Sequence, residues 1–164
     1  MHMRKTTLLG LVMGGLVALP GVVHASAQGA TPVTDGATET FTLIEHAEHV
    51  TIVDIGDLGT SPGDITVWGP DPLYDEANEV DTGAVTQGSC HALNTDGDNH
   101  CYETIVFADG STLAIQGVQL GSGGPSVTTI VGGSGTYLGA AGTLTVTADA
   151  DRFLWTKEFA ISLE

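Results

Sequence analysis

The chain has 164 residues, with 20 acidic against four basic side chains and a formal net charge of −16 at pH 7. A chain of this length forms one domain with a sizeable core. So acidic a composition excludes a nucleic-acid partner, because the chain lacks a cluster of basic side chains that could displace the counterions of nucleic acid. It also disfavours binding to an anionic membrane surface.

The N-terminus has the organisation of a secretory signal peptide. Arg4 and Lys5 precede an apolar run at 8–19, and small residues follow at 25–27. The run is shorter than the roughly 17–25 residues of a membrane-spanning helix, and a retained N-terminal anchor is the alternative. We therefore expect a secreted protein with no membrane partner after cleavage. The predicted organisation is a signal peptide at 1–27, a flexible lead-in at 28–37 and a single β-barrel domain at 38–164.

The rest of the chain has the period-two pattern and frequent turns of an all-β protein. Residues 143–147 alternate cleanly, Asp109-Gly110 predicts a hairpin turn, and a second tight turn is predicted at 148–151. Many short strands without an amphipathic helix favour a barrel of about eight strands, which has room for side chains or one small ligand. The predicted strands lie near 39–46, 48–55, 64–69, 83–93, 101–108, 111–119, 126–132, 142–149 and 152–163.

Cys90 and Cys101 are the cysteines of a chain addressed to an oxidising compartment. An even count in that context predicts one disulfide. The bridge would close a short loop and stabilise the fold by roughly 2–3 kcal/mol. A free, functional Cys90 is the alternative.

Residues 94–99 carry alternating oxygen ligands of the kind that calcium prefers. The segment fails the EF-hand spacing, because the sixth position is Asn99 and the twelfth is Ile105. An acidic hairpin tip is the simpler interpretation. The histidines have no known zinc spacing, and no serine lies in a nucleophile motif, so we expect no metal and no serine hydrolase.

The last predicted strand contains one anomaly, a lysine on an apolar face. Its odd positions from 153 to 163 are apolar except for Lys157. A regular strand would bury this ammonium, and a buried lysine needs a partner or a lowered pKa and is often functional. A bulge near 156–158, or a side chain that reaches the barrel rim, would instead expose it. We favour the exposed arrangement.

Four motifs follow one another along residues 40–163. They are Gly63-Asp64 leading to Asp71-Pro72-Leu73-Tyr74-Asp75, Gly88-Ser89-Cys90, Gly110-Ser111-Thr112-Leu113, and the glycine-rich segment 132–142. In this order they resemble the allene oxide cyclase and dirigent superfamily. The resemblance implies an eight-stranded antiparallel β-barrel, commonly trimeric, with an apolar lumen. It also implies that the barrel binds a small apolar molecule and steers its cyclisation, isomerisation or coupling without a cofactor.

The resemblance also indicates candidate site residues, although most pocket groups of the plant proteins are changed. Asp71 and Tyr74 fall in the matched motif and, together with Lys157, are the candidate catalytic residues. The family's Tyr-Glu-Ile-Asn segment falls on 41–44, which implies that the first strand contributes no polar group to the pocket. The candidate ligand-binding residues are Trp68, Cys90 and Trp155.

Three functions are compatible with these observations. The first is a secreted, cofactor-free cyclase or isomerase that acts on a small apolar compound. The second is a non-catalytic carrier that uses the same lumen, and the third is a structural surface protein whose barrel is filled by its own side chains. The first two predict a cavity with a few convergent polar groups, whereas the third predicts a packed interior.

Overall fold

A computed structural model describes residues 38–163, which form a closed antiparallel barrel with one additional strand. The predicted signal peptide and the predicted lead-in lie outside the described residues, within which no helix is long and apolar enough to cross a membrane. The strands are β1 (Glu39–His46), β2 (Val50–Val53), β3 (Ile65–Tyr74), β4 (Asp81–Ala92), β5 (Asn99–Val106), β6 (Thr112–Gln119), β7 (Ser126–Ser134), β8 (Ala140–Asp149) and β9 (Leu154–Leu163), with a 3₁₀ turn at Gly135–Tyr137.

Eight strands close the ring in the order β1-β9-β8-β7-β6-β5-β4-β3. The ring closes where Ile44 and Glu45 of β1 pair with the end of β3. β2 lies outside the ring and pairs with the first half of β3. The predicted fold, an eight-stranded antiparallel barrel with an extra strand, is confirmed.

The predicted turn residues close two of the hairpins. The Gly110 amide donates to the Phe107 carbonyl at 2.9 Å, and Gly110 has a φ of +82°, which glycine adopts without a Cβ penalty. The turn between β8 and β9 occupies 150–153, two residues later than predicted. It is displaced because the β8–β9 ladder continues to the pair of Asp149 with Leu154.

β3 is longer than the predicted strand at 64–69 and continues through two prolines to Tyr74. A register shift between Trp68 and Asp71 interrupts its pairing with β4. Pro70 lies within this bulge, where the missing N–H removes no ladder bond. Trp68 pairs with Gly88 and Asp71 with Thr86, which face the same side of β4. One extra residue in β3 therefore lets both Trp68 and Asp71 point into the barrel.

The two halves of the lumen differ. The half near the β5–β6 and β7–β8 turns is filled by side chains, where Phe41 stacks on Phe159 with 4.6 Å between ring centroids and also contacts Phe107. The hydrophobic effect and close packing stabilise this half. The buried apolar cluster extends into the other half of the lumen at Val146, and its remaining members are Leu43, Leu73, Ala84, Ile105, Leu113, Ile115, Ile130, Ala140, Leu144, Phe159 and Ile161.

Candidate functional site

A cavity of about 380 Å³ lies at the opposite end of the barrel, among the β4–β5, β6–β7 and β8–β9 turns. Trp68 of β3 and Trp155 of β9 contribute indole rings to its wall. Glu45 and Lys157 lie at its inner end, which we call the cavity floor. Other wall residues include Val50, Thr66, Cys90, Leu120, Val146 and Phe153.

Lys157 points into the barrel and is 1 % exposed. The expectation that a bulge or the rim would expose it is wrong, because β9 pairs residue by residue with both β1 and β8 without a register shift. Two carboxylates compensate the buried charge. The Lys157 Nζ lies 2.5 Å from Glu103 Oε1 and 2.9 Å from Glu45 Oε2.

Neither glutamate was predicted as a site residue from the sequence. Glu103 comes from β5, is 4 % exposed, and its Oε1 also accepts a hydrogen bond from Thr86 Oγ1 at 2.6 Å. Its alternation with Cys101 and Ile105, which are also buried, is the pattern that could have identified it. An acid at an inward position of a strand is as informative as a lysine there.

Glu45 corrects the implication that the first strand contributes no polar pocket group. It is 4 % exposed and shares the inward face of β1 with Phe41 and Leu43. The implication from the segment 41–44 is wrong, because the polar side chain of the first strand lies at the next position, Glu45. The cavity floor therefore combines Glu45 of β1 with Lys157 of β9, and Glu103 of β5 binds Lys157 without lining the cavity itself.

Asp71 is fully buried beside this cluster. Its Oδ1 accepts hydrogen bonds from the backbone amides of His49 at 2.9 Å and Glu48 at 3.2 Å. The same oxygen lies 3.0 Å from His49 Nδ1, and the His49 side chain is 62 % exposed. The Asp71–His49 pair thus connects the barrel interior with the surface.

The other candidate residues divide between the cavity and the outer surface. Trp68, Cys90 and Trp155 line the cavity. The structure does not bring Tyr74 there. Its ring instead stacks on His46 with centroids 4.1 Å apart, after a second register shift between Leu73 and Tyr74.

Cys90 and Cys101 form the predicted disulfide across the paired strands β4 and β5. The alternative of a free Cys90 does not apply to this structure. The disulfide borders the cavity through Cys90 and fixes the two strands just above Glu103. It therefore reinforces the wall of the site and supplies no thiol for chemistry.

The polar groups at the floor differ in how readily they exchange a proton. Burial raises the pKa of Glu45, Lys157 opposes this effect, and the charges of Glu103 and Asp71 add to it. Burial by itself disfavours the ammonium of Lys157, but Glu103 and Glu45 outweigh that effect and raise its pKa. Lys157 therefore stays charged, and Glu45 is the floor residue suited to take up and release a proton.

Three buried polar side-chain atoms have no hydrogen-bond partner within residues 38–163. They are Trp68 Nε1, Asp71 Oδ2 and Glu103 Oε2. Buried polar atoms are nearly always paired, so each exception calls for an explanation. Trp68 Nε1 is a donor and lines the cavity. The other two atoms are carboxylate oxygens, of Asp71 on β3 and Glu103 on β5.

The acidic segment 94–99 forms the β4–β5 turn and is held by its own side chains. The Asn94 Oδ1 accepts hydrogen bonds from the amides of Asp96 at 3.0 Å and Asp98 at 3.1 Å. The described part of the chain contains no group of three or more His, Cys, Asp or Glu side chains that could hold a metal ion.

No protein-family model matches the chain, and no curated protein matches it in sequence. Solved structures do share its fold. A pyocyanin demethylase superposes with a TM-score of 0.67 at 24% identity, covering 76% of this chain and 100% of that one. A pterocarpan synthase dirigent protein superposes with a TM-score of 0.64 at 18% identity, covering 85% of this chain and 99% of that one. A Diels Alderase from Streptomyces koyangensis superposes with a TM-score of 0.61 at 15% identity, covering 80% of this chain and 71% of that one. The chain therefore has an allene oxide cyclase/dirigent-like barrel fold.

Proposed function

We propose that this barrel binds a small apolar molecule in the cavity and steers its cyclisation, isomerisation or coupling without a cofactor. The observation that carries the proposal is the pair of Glu45 and Lys157 at the inner end of a cavity with two tryptophans in its wall. Barrels of the same fold include a dirigent synthase and a Diels Alderase, which supports a barrel that steers a reaction.

The walls would act first, by restricting the conformers of the bound molecule. A cavity of about 380 Å³ falls within the size range of small-molecule sites. Holding reactive atoms in the geometry of the ring closure removes an entropic part of the barrier. Trp68 and Trp155 offer flat apolar faces for this purpose.

Glu45 would then move the proton that such a rearrangement requires. In its protonated form it donates a proton to one atom of the substrate, and the resulting carboxylate removes a proton from another atom. Glu45 returns to its starting state, and substrate and product have the same formula. Lys157 holds the Glu45 carboxyl in place at 2.9 Å, and Glu103 holds Lys157 in turn.

The experiment compares the wild type with Glu45→Gln and a matched control, Glu158→Gln. Glu158 lies on β9 next to Lys157 but is exposed. Each protein is incubated with a metabolite extract of the producing organism, and the products are separated by liquid chromatography with mass detection. With the wild type and the control but not with Glu45→Gln, we expect a compound to change its retention, at unchanged mass for a cyclisation or isomerisation and at increased mass for a coupling.

Two results would contradict the catalytic proposal. Glu45→Gln could convert the same compound as the wild type does, which would remove Glu45 from the mechanism. Alternatively, a compound could bind without being converted by any of the proteins. That second outcome would favour the non-catalytic carrier, which uses the same cavity.

We further propose that the protein is secreted after removal of residues 1–27 and assembles as a homo-oligomer, a trimer if it follows the motif resemblance. The arrangement of Arg4, Lys5 and the apolar run at 8–19 supports export. N-terminal sequencing of protein from the culture medium should begin near residue 26 or 28. Native mass measurement gives the number of subunits, and an intact Met1 or a monomer would contradict the respective claim.

A further inference from the structure

The cavity floor and the buried side chains beside it contain more carboxyl groups than cations. Glu45 and Glu103 are each 4 % exposed and Asp71 is fully buried, whereas Lys157 is the one buried cation of residues 38–163. The other basic residue of that range, Arg152, has a side chain that is 69% exposed. The formal count of this buried cluster is three negative charges against one positive charge, and of its members Glu45 and Lys157 line the cavity. Buried carboxylates are costly unless a donor or a cation compensates them.

The hydrogen bonds show where compensation is incomplete. Glu103 Oε1 is bound by Lys157 and Thr86, and Asp71 Oδ1 by backbone amides and His49, but the second oxygen of each carboxyl group has no partner in the described chain. Both oxygens are acceptors and require an N–H or O–H donor or a positive charge. Neither carboxyl group lines the cavity, so a cationic group of a ligand beside Glu45 would compensate them through space and not by a direct hydrogen bond.

The wall above the floor also favours positive charge. Trp68 and Trp155 line the cavity, and the faces of indole rings attract cations in addition to packing against flat apolar molecules. The unpartnered Trp68 Nε1 remains available for an acceptor atom on the same ligand. The site therefore combines aromatic walls with a net negative charge at and beside its inner end.

We infer that the cavity selects flat aromatic molecules that present a cationic nitrogen to the floor, and that it rejects the corresponding anions. This inference rests on the proposed function, because it names the ligand class of the same cavity. A ligand cation would offset the excess of carboxyl groups that Lys157 leaves uncompensated.

A proton on Glu45 is the alternative way to offset this excess. The charged and titratable groups that face Glu45 are Lys157 from β9, Glu103 from β5 and Asp71 from β3, with His49 in contact with Asp71. Binding of a cation competes with that proton. Its affinity should therefore increase as the pH rises and Glu45 loses its proton, whereas the affinity of a neutral analogue should not.

Three probes with one ring system test the inference by calorimetry: 2-naphthylmethylammonium, 2-naphthylmethanol and 2-naphthoate. The titrations use about 0.15 M salt, which screens the acidic outer surface. We expect the ammonium compound to bind about tenfold more tightly than the alcohol, a difference of about 1.4 kcal/mol, and the naphthoate to show no measurable binding. Raising the pH from 5 to 8 should strengthen only the binding of the ammonium compound.

Variants separate the floor from the overall charge. Glu103→Gln retains an acceptor for Thr86 and should reduce the preference for the cation several-fold, whereas the exposed Glu158→Gln should leave it unchanged. Glu45→Gln should abolish the pH dependence, and circular dichroism confirms that each variant is folded. Equal affinities for all three probes, or a preference for the naphthoate, would overturn the inference alone. No binding of any probe would instead count against the cavity as a ligand site.

Discussion

Replacing Lys157 with methionine removes the one cation that holds two buried carboxyl groups together. In the wild type its Nζ lies 2.5 Å from Glu103 Oε1 and 2.9 Å from Glu45 Oε2, and each of the three residues is no more than 4 % exposed. Methionine has a similar length and fits an apolar space. The variant therefore tests charge compensation with little change in packing.

The expected loss of stability is about 3–5 kcal/mol at pH 7, which is typical when one partner of a buried ion pair is removed. The loss should depend on pH. Lys157 lowers the pKa of Glu45, so without it the folded-state pKa of Glu45 rises further above its usual value, and the folded state binds more protons than the unfolded state above about pH 4.5. Stability of the variant should then fall as the pH rises from 5 to 7, by about 1.4 kcal/mol for each pKa unit.

Urea denaturation followed by tryptophan fluorescence measures this effect at both pH values. Arg152→Met is the matched control, since Arg152 is exposed and lies 3.8 Å from Asp149. An exposed pair of this kind contributes at most about 1 kcal/mol. Two results would contradict the role of Lys157 in charge compensation. One is a smaller loss of unfolding free energy for Lys157→Met than for the control, and the other is an equal loss at pH 5 and pH 7.

Two further predictions concern the wall of the cavity. Gly88→Ala should destabilise the fold by about 2 kcal/mol or more, because a Cβ there would lie 2.6 Å from the ring of Trp68, whereas Gly132→Ala, which meets no atom within 4 Å, should have a much smaller effect. Equal urea midpoints for the two variants would contradict this. Cys101→Ser should cost roughly 2–3 kcal/mol by opening the loop to Cys90, and an unchanged midpoint would show that the disulfide contributes nothing.

Much of the fold could be predicted from local patterns in the sequence. Period-two alternation gave the strands and their approximate bounds, because each strand of a closed barrel has one face inward and one outward. The Asp109-Gly110 turn could be predicted because few residues adopt its backbone conformation. The predicted bounds of β3 were too short, because the bulge that accommodates Pro70 depends on pairing with β4, which the local sequence does not show.

The site was less accessible to sequence reasoning, because its residues are far apart in the chain. Alternation identified Lys157 as anomalous, yet only barrel closure brings Glu45 and Glu103 within reach of its ammonium. Tyr74 was predicted as a site residue from its motif, but a register shift in β3 places it beside His46 and away from the cavity. Parity along a strand predicts the direction of a side chain only as far as the next bulge.

Native mass spectrometry of the protein purified from its producing organism shows directly whether the cavity holds a small molecule. The comparison uses Ala148→Phe, which fills part of the cavity from β8. We predict that the wild type carries a bound compound of low mass, which is released by organic solvent, and that the folded variant carries none. A wild type without ligand, or a variant that retains the same compound, would contradict the claim.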